Sequence, residues 1–295
     1  MGAVMAGRVL VLGATGHVGS ALVSALASRG EAVAAATRRP GDGRSESRGV
    51  VRVKFDYDDP STFAAALSGA DRVFLAVRPG DDEADRTAIP FIDAAKNAGV
   101  RRVVALTAMG VERLDGTALR IIERHLEQSG LAWTHLRPNF FMQIFAREPL
   151  VTAIRAAALL SVPAGDAGVS FVDVRDIADV AATALTASGH EGQAYTLTGP
   201  DALTHGEVAA LLAGATGRPI RYQALDENLA RTVLSGSGLP PARVERLLGF
   251  YRLVREGWCG PVSPAVSSVL RRPPRSMAAF VREHAAIWAP VSPGA

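Results

Sequence analysis

The stretch Val9-Leu10-Val11-Leu12-Gly13-Ala14-Thr15-Gly16-His17-Val18-Gly19 decides the architecture. Four successive apolar residues read as a strand buried on both faces, and Gly13 ends it. Gly13 permits a tight turn, Gly16 lets backbone N–H groups approach a bound anion, and Gly19 lets the next helix pack on the strand. A helix predicted over Val18–Arg29 puts its positive end behind this loop, and a second apolar run, Ala32–Ala36, follows it. Strand, glycine loop, helix and strand form the βαβ unit that holds a dinucleotide pyrophosphate. Gly13, Thr15, Gly16, His17, Val18 and Gly19 are therefore assigned to cofactor binding.

Outward from this unit, short apolar runs alternate with amphipathic stretches, the pattern of a parallel sheet flanked by helices. Strands are predicted over Arg8–Leu12, Ala32–Ala36, Val50–Phe55, Arg72–Val77, Arg102–Leu106 and Trp133–Leu136. Helices are predicted near Val18–Arg29, Pro60–Leu67, Asp82–Asn97 and Thr117–Gln128. Gly30, Gly69, Gly99 and Gly130 each fall just past a predicted helix, where a left-handed residue ends it. The loop Pro40–Arg48 is polar and glycine-rich and is expected to be mobile.

The second half reads as a long helical stretch over Phe140–Leu160 broken near Pro149, then a short strand over Val169–Val172 and a helix over Asp176–Thr186. A strand over Tyr195–Thr198 and a helix over Thr204–Ala213 follow, the latter capped by Thr204 with Glu207 three residues on. Ile220–Tyr222 reads as a last strand before a mostly helical remainder. The fold class is α/β: a Rossmann-type doubly wound parallel sheet with a smaller C-terminal α+β lobe. The division is expected at residues 1–138 for the nucleotide-binding core and 139–295 for a substrate-binding lobe whose strands return to the core.

The 295 residues are 48% hydrophobic and 21% charged, enough apolar material for a sizeable core. No apolar run is long enough to span a bilayer, and the N-terminus lacks a signal-peptide layout. One cysteine, Cys259, allows no internal disulfide and suits a reducing cytoplasm. The 32 basic residues are interspersed with 29 acidic ones for a net +3, so nucleic-acid binding is not expected. A monomer or homodimer acting on a small molecule is the expectation.

Ala36-Thr37-Arg38-Arg39 ends the second strand. An NAD-binding site places an acid there for the ribose hydroxyls, whereas a guanidinium matches a 2′-phosphate with paired donors. Thr37, Arg38 and Arg39 therefore favour NADP(H). Phe55 and Asp56, ending the third strand, are expected beside the adenine, with Asp56 accepting from its amino group. Ala76, Val77 and Arg78 are expected on the nicotinamide-ribose side.

Together with these residues, Thr107-Ala108-Met109-Gly110, Glu123, Ser129-Gly130-Leu131-Ala132-Trp133-Thr134 and Leu136-Arg137-Pro138-Asn139-Phe140-Phe141-Met142-Gln143 resemble the NmrA-like branch of the atypical short-chain dehydrogenases. Phe171-Val172-Asp173-Val174-Arg175-Asp176-Ile177-Ala178 and Tyr195-Thr196-Leu197-Thr198-Gly199-Pro200 extend the resemblance along nearly the whole chain. It implies either an NAD(P)H-dependent reductase of quinones and dyes or a dinucleotide-sensing regulator without turnover. Dye and quinone reductases of this kind often carry a histidine four residues before the glutamate matching Glu123, where this chain has Leu119.

Ordinary short-chain dehydrogenases protonate the product with a tyrosine activated by a lysine four residues on. Here Tyr57, Tyr195, Tyr222 and Tyr251 are followed at that spacing by Ser61, Gly199, Asp226 and Arg255. An unactivated alcohol or sugar substrate is therefore disfavoured. A quinone, aromatic or conjugated carbonyl acceptor delocalises the incoming charge itself. Thr107, after the fifth strand, is read either as donor to such an acceptor or as a cap on its own loop. Asn139 and Gln143 are read as substrate-facing polar groups, Arg137 as fixing loop carbonyls, and His135 as a satisfied core histidine. His17 is expected to point outward, His125 to lie on a helix surface, and Asp173 and Asp176 to anchor the following helix. Phe250, Tyr251 and Trp258 are read either as a wall for a planar substrate or as core packing. No metal-ligand spacing and no Gly-x-Ser-x-Gly elbow is present.

Overall fold

The computed structural model describes residues 7–41, 49–78 and 80–290. Seven parallel strands make the main sheet: β1 (Arg8–Val11), β2 (Val33–Thr37), β3 (Val50–Lys54), β4 (Ala70–Ala76), β5 (Arg102–Leu106), β6 (Ala132–Pro138) and β8 (Gln193–Leu197). Between β6 and β8 in the chain lies β7 (Leu159–Val162), which pairs instead with β9 (Arg221–Ala224) in a separate two-stranded parallel sheet. The main sheet runs β3-β2-β1-β4-β5-β6-β8, so the order reverses between β1 and β4. That switch point is where open α/β sheets receive ligands, and Gly13 stands directly beside it.

The helices are α1 (His17–Ser28), α2 (Phe63–Leu67), α3 (Asp85–Asn97), α4 (Ala118–Gln128), α5 (Leu150–Ala157), α6 (Val174–Thr186), α7 (His205–Thr216), α8 (Glu227–Gly236), α9 (Pro241–Arg255), α10 (Ala265–Leu270) and α11 (Met277–Glu283). The chain divides into two compact units, one running through Pro138 plus Val174–Leu197, the other Asn139–Asp173 plus the residues from Thr198. Thus α6 and β8 belong with the sheet of the first unit.

Local sequence explains the first unit well. Val18, Leu22 and Leu26, four residues apart on α1, are buried, while Ser20 and Ser24 on its other face are not. Full burial of Leu22 and Leu26 contributes about 1.5–3 kcal/mol each as an upper estimate. Gly30, Gly69, Gly99 and Gly130 all adopt positive φ after their helices, as the sequence predicts. The expected mobile loop falls largely on residues 42–48, outside the described residues.

The second unit departs from the sequence reading. The stretch from Phe140 to Leu160 is not one broken helix. A 3₁₀ turn, Met142–Ala146, precedes α5, and Leu159 and Leu160 already belong to β7. Ala158 takes a left-handed conformation (φ 51°) that ends α5 and starts the strand. Val169–Val172 forms no strand but two single bridges, Phe141 with Val172 and Val169 with Leu203. In short apolar runs the helix and strand periods are indistinguishable, and here the partner strands decide. Thr204 and Glu207 do form the predicted reciprocal capping box of α7.

Candidate active site

The glycine loop is built from backbone. Gly13 turns at φ 64°, and the Gly16 N–H returns to the Gly13 carbonyl at 2.9 Å. A Cβ on Gly19 would lie 2.1 Å from the Gly13 oxygen, so only glycine lets α1 start this close to β1. Val18 is buried and contributes its backbone alone, whereas Gly13, Thr15 and Gly16 are exposed. No side chain caps α1 at Gly16, leaving its first N–H groups and its dipole available to an anion.

Thr37 ends β2 in register with Lys54 of β3, and the Arg39 N–H donates to the Thr37 hydroxyl at 3.3 Å. Arg38 and Arg39 are exposed, and neither guanidinium has an acidic partner among the described residues. An uncapped helix start and two unengaged guanidinium groups form a donor set that fits a pyrophosphate and a 2′-phosphate. Asp56 and Asp58 lie 3.3 and 2.5 Å from Arg78 Nη2, so the Asp56 carboxylate already has a cationic partner. The Phe55 ring is buried in the core against Tyr57, Phe63 and Phe91. Ala76 and Val77 are half-buried at the end of β4, and the Ala76 carbonyl accepts from the Tyr57 hydroxyl at 3.2 Å.

Thr107, one residue past β5, is 9% exposed. Its N–H donates to the Leu136 carbonyl at 2.8 Å, and its hydroxyl donates to Glu123 Oε1 at 2.8 Å. Glu123, on α4, is fully buried. Arg137 grips both its oxygens, Nε on Oε1 at 2.9 Å and Nη2 on Oε2 at 2.8 Å, and Arg120 adds a bond to Oε2 at 2.9 Å. Burial opposes the charge on Glu123, but the Arg137 and Thr107 hydrogen bonds outweigh it and hold the carboxyl below its usual range. Arg137 therefore serves a carboxylate and not the loop carbonyls expected from sequence.

His135 is buried beside this cluster, its ring stacked on Trp133 at 4.4 Å. It is not satisfied as expected: neither ring nitrogen makes a hydrogen bond among the described residues, and Nε2 stops 3.4 Å from Glu127 Oε1. Glu123, Glu127 and His135 bring three ligand-type atoms within 4.8 Å of one another, a grouping the sequence reading missed. Thr107, Arg120 and Arg137 already fill the four acceptor positions of Glu123, so the grouping is a compensated charge cluster. Three of its members share the α4 face at 120, 123 and 127, and His135 and Arg137 share one face of β6. Those spacings were the available signal.

The second unit holds the other two predicted residues. Asn139 is buried, and its Nδ2 donates to the Ser170 hydroxyl at 2.8 Å and the Cys259 carbonyl at 2.7 Å. Its Oδ1 accepts nothing among the described residues. Gln143 donates to the buried Asp173 at 3.0 Å. Phe250 and Trp258 are exposed, Phe140 and Phe250 meet edge to face at 6.4 Å, and Tyr251 packs into the core. His125 is half-exposed and meets Asp93 at 2.8 Å.

None of the four tyrosine hydroxyls is primed as an acid. Burial pushes Tyr57, Tyr195, Tyr222 and Tyr251 all above the ordinary phenol range. Tyr57, Tyr195 and Tyr222 also bond Ala76 O, His190 and Gly165 O respectively.

A Rossmann sheet whose switch point carries the glycine loop defines a dinucleotide-binding fold. Residues 5–280 match the NmrA-like family, and the chain belongs to it. An NAD(P)H azoreductase of Xenophilus azovorans is 38% identical over 95% of this chain and 99% of its own length. A (4-alkanoyl-5-oxo-2,5-dihydrofuran-3-yl)methyl phosphate reductase of Streptomyces griseus is 38% identical over 96% of this chain and 99% of its own. The structure of a Citrobacter sp. triphenylmethane reductase superposes with a TM-score of 0.85 at 22% identity, covering 95% of this chain and 99% of that one. No helix among the described residues is long and apolar enough to cross a membrane.

Proposed function

We propose that this protein is an NADPH-dependent reductase of electron-poor conjugated acceptors: azo compounds, quinones and unsaturated carbonyl compounds. The observation that carries the reading is the set of four tyrosines, none paired with a lysine and all shifted away from acidity. The bound cofactor supplies a hydride; the chain must supply a place for the acceptor and a source for one proton. With no activated phenol, the protein is suited to acceptors that spread the new charge over a π system and take their proton from water. The two relatives at 38% identity are named for substrates of that character, an azo compound and an acylated dihydrofuranone.

In this reading Gly13, Thr15, Gly16, His17, Val18 and Gly19 hold the pyrophosphate. Thr37, Arg38 and Arg39 hold the 2′-phosphate, and Asp56, Ala76, Val77, Arg78 and Thr107 border the rest of the cofactor. Asn139, through its Oδ1, and Gln143 face the substrate. Purified protein with NADPH is expected to consume the cofactor with an azo dye, a quinone or an unsaturated lactone, and not with a saturated ketone. Tight NADPH binding without turnover on any acceptor would instead favour a dinucleotide sensor. Replacing Arg38 and Arg39 together with alanine is expected to weaken NADPH binding about 100-fold while leaving NADH binding within about threefold.

A further inference from the structure

We propose that Glu123 is a positioning residue for the cofactor: by taking the Thr107 proton, it presents Thr107 as a hydrogen-bond acceptor matched to the amide N–H of the nicotinamide carboxamide. This rests on the dinucleotide reading above.

A hydroxyl has one proton and two lone pairs. The Thr107 oxygen lies 2.8 Å from Glu123 Oε1 and 3.3 Å from the Leu136 carbonyl, and the proton goes to the nearer, ionised oxygen. Hydrogen bonds to a charged acceptor are the shorter and stronger kind. Arg137 and Arg120 keep that acceptor fixed from its other sides. Turning the hydroxyl outward would strip a buried carboxylate of one of its four donors, a loss that buried ions tolerate poorly. The Thr107 backbone is likewise held, by its bond to Leu136.

Thr107 therefore offers lone pairs at the carboxyl edge of β5, and what faces it must carry N–H or O–H. It is not the proton source for a reduced acceptor. On the reactive ring of a pyridine dinucleotide the only N–H donor is the carboxamide. This polarity reverses the one the sequence allowed, in which Thr107 donates to a substrate oxygen.

The acetylpyridine analogue of NADP⁺ tests the assignment, because a methyl group replaces the carboxamide NH₂ while the carbonyl remains. Calorimetric dissociation constants are measured for both dinucleotides, so no turnover is needed. The unmodified protein is expected to bind NADP⁺ about tenfold tighter than the analogue. Thr107→Val, similar in shape but without an acceptor, is expected to bring the ratio within about twofold of unity. Replacing Glu123 and Arg137 together with leucine removes the charge pair without leaving either ion alone, and frees the Thr107 proton. That variant is expected to lower the ratio at least about threefold, since the freed hydroxyl donates equally well to either carbonyl. Should circular dichroism show the leucine pair unfolded, Glu123→Gln asks the same question and is expected to lower the ratio in the same direction. An unchanged ratio in Thr107→Val overturns the carboxamide contact. A collapsed ratio there with a wild-type ratio in a folded Glu123 variant overturns the role of Glu123. If the unmodified protein binds neither dinucleotide, the cofactor reading itself is what fails.

Discussion

Each unit of the molecule buries a histidine with an unpartnered nitrogen, and the two surroundings are opposite. His135 in the first unit lies among charges, Glu123, Glu127, Arg120 and Arg137, with Trp133 stacked on it. His205 in the second unit lies in a box of rings, with Tyr222 at 5.8 Å, Phe171 at 5.5 Å, Phe145 at 5.9 Å and Tyr251 at 6.4 Å. Burial lowers both imidazole pKa values. At His205 nothing opposes it and the value falls to about 4, whereas at His135 the Glu123 and Glu127 charges pull upward against burial and Arg137. The difference shows where each unit keeps its electrostatics. The first concentrates compensated charge beneath Thr107, just past β5, while the second surrounds its buried histidine with aromatic rings.

The contrast is broken most severely at Glu123. Glu123→Ala leaves Arg137 without its bidentate partner, and denaturant unfolding is expected to show a loss of about 3–5 kcal/mol. The leucine pair at 123 and 137 is expected to cost far less, which separates an orphaned charge from a lost contact.

Next in size is the acid sensitivity set by the aromatic box. The native His205 value of about 4 lies below the ordinary 6.5, so as pH falls through 6.5 the unfolded chain takes up a proton that the native ring refuses. This is expected to remove about 3 kcal/mol of stability by pH 4. In His205→Phe that part of the loss disappears, read as the difference between the two unfolding curves at pH 7 and pH 4. A difference that does not change with pH would place the box's neutrality elsewhere.

The same sign applies to Glu123, in a lower pH window. Its lowered value contributes stability above the ordinary carboxylate range, lost as pH falls through the native value, so Glu123→Gln is expected to lose part of the wild-type acid transition. The smallest effect is expected at His135. Because it makes no hydrogen bond, His135→Leu is expected to change stability by less than about 1.5 kcal/mol, measured by urea unfolding. A larger loss would mean that its 3.4 Å approach to Glu127 is an engaged ion pair.

How much was legible in the chain follows the same division. The loop from Gly13 to Gly19 could be read directly because its requirements are local: a turn at φ 64°, a close approach of α1 to β1, and uncapped N–H groups. The four glycines after helices and the Thr204–Glu207 box are local in the same sense. The end of a strand does not tell which way its last ring turns; the aromatic cluster around Phe91 decided that for Phe55. Leu159 and Leu160 were read as helix because two leucines fit either period, and pairing with Arg221 and Tyr222 made them strand.

The sequence by itself determined that a dinucleotide loop exists, and that no tyrosine–lysine pair accompanies it, since both depend on residues close together along the chain. Only the tertiary structure decided what Thr107 does with its proton. Its partner is sixteen residues away on another element, and that partner's charge is fixed by an arginine on a third. The direction of a hydrogen bond depends on which ion lies nearest in space, and sequence spacing does not carry that.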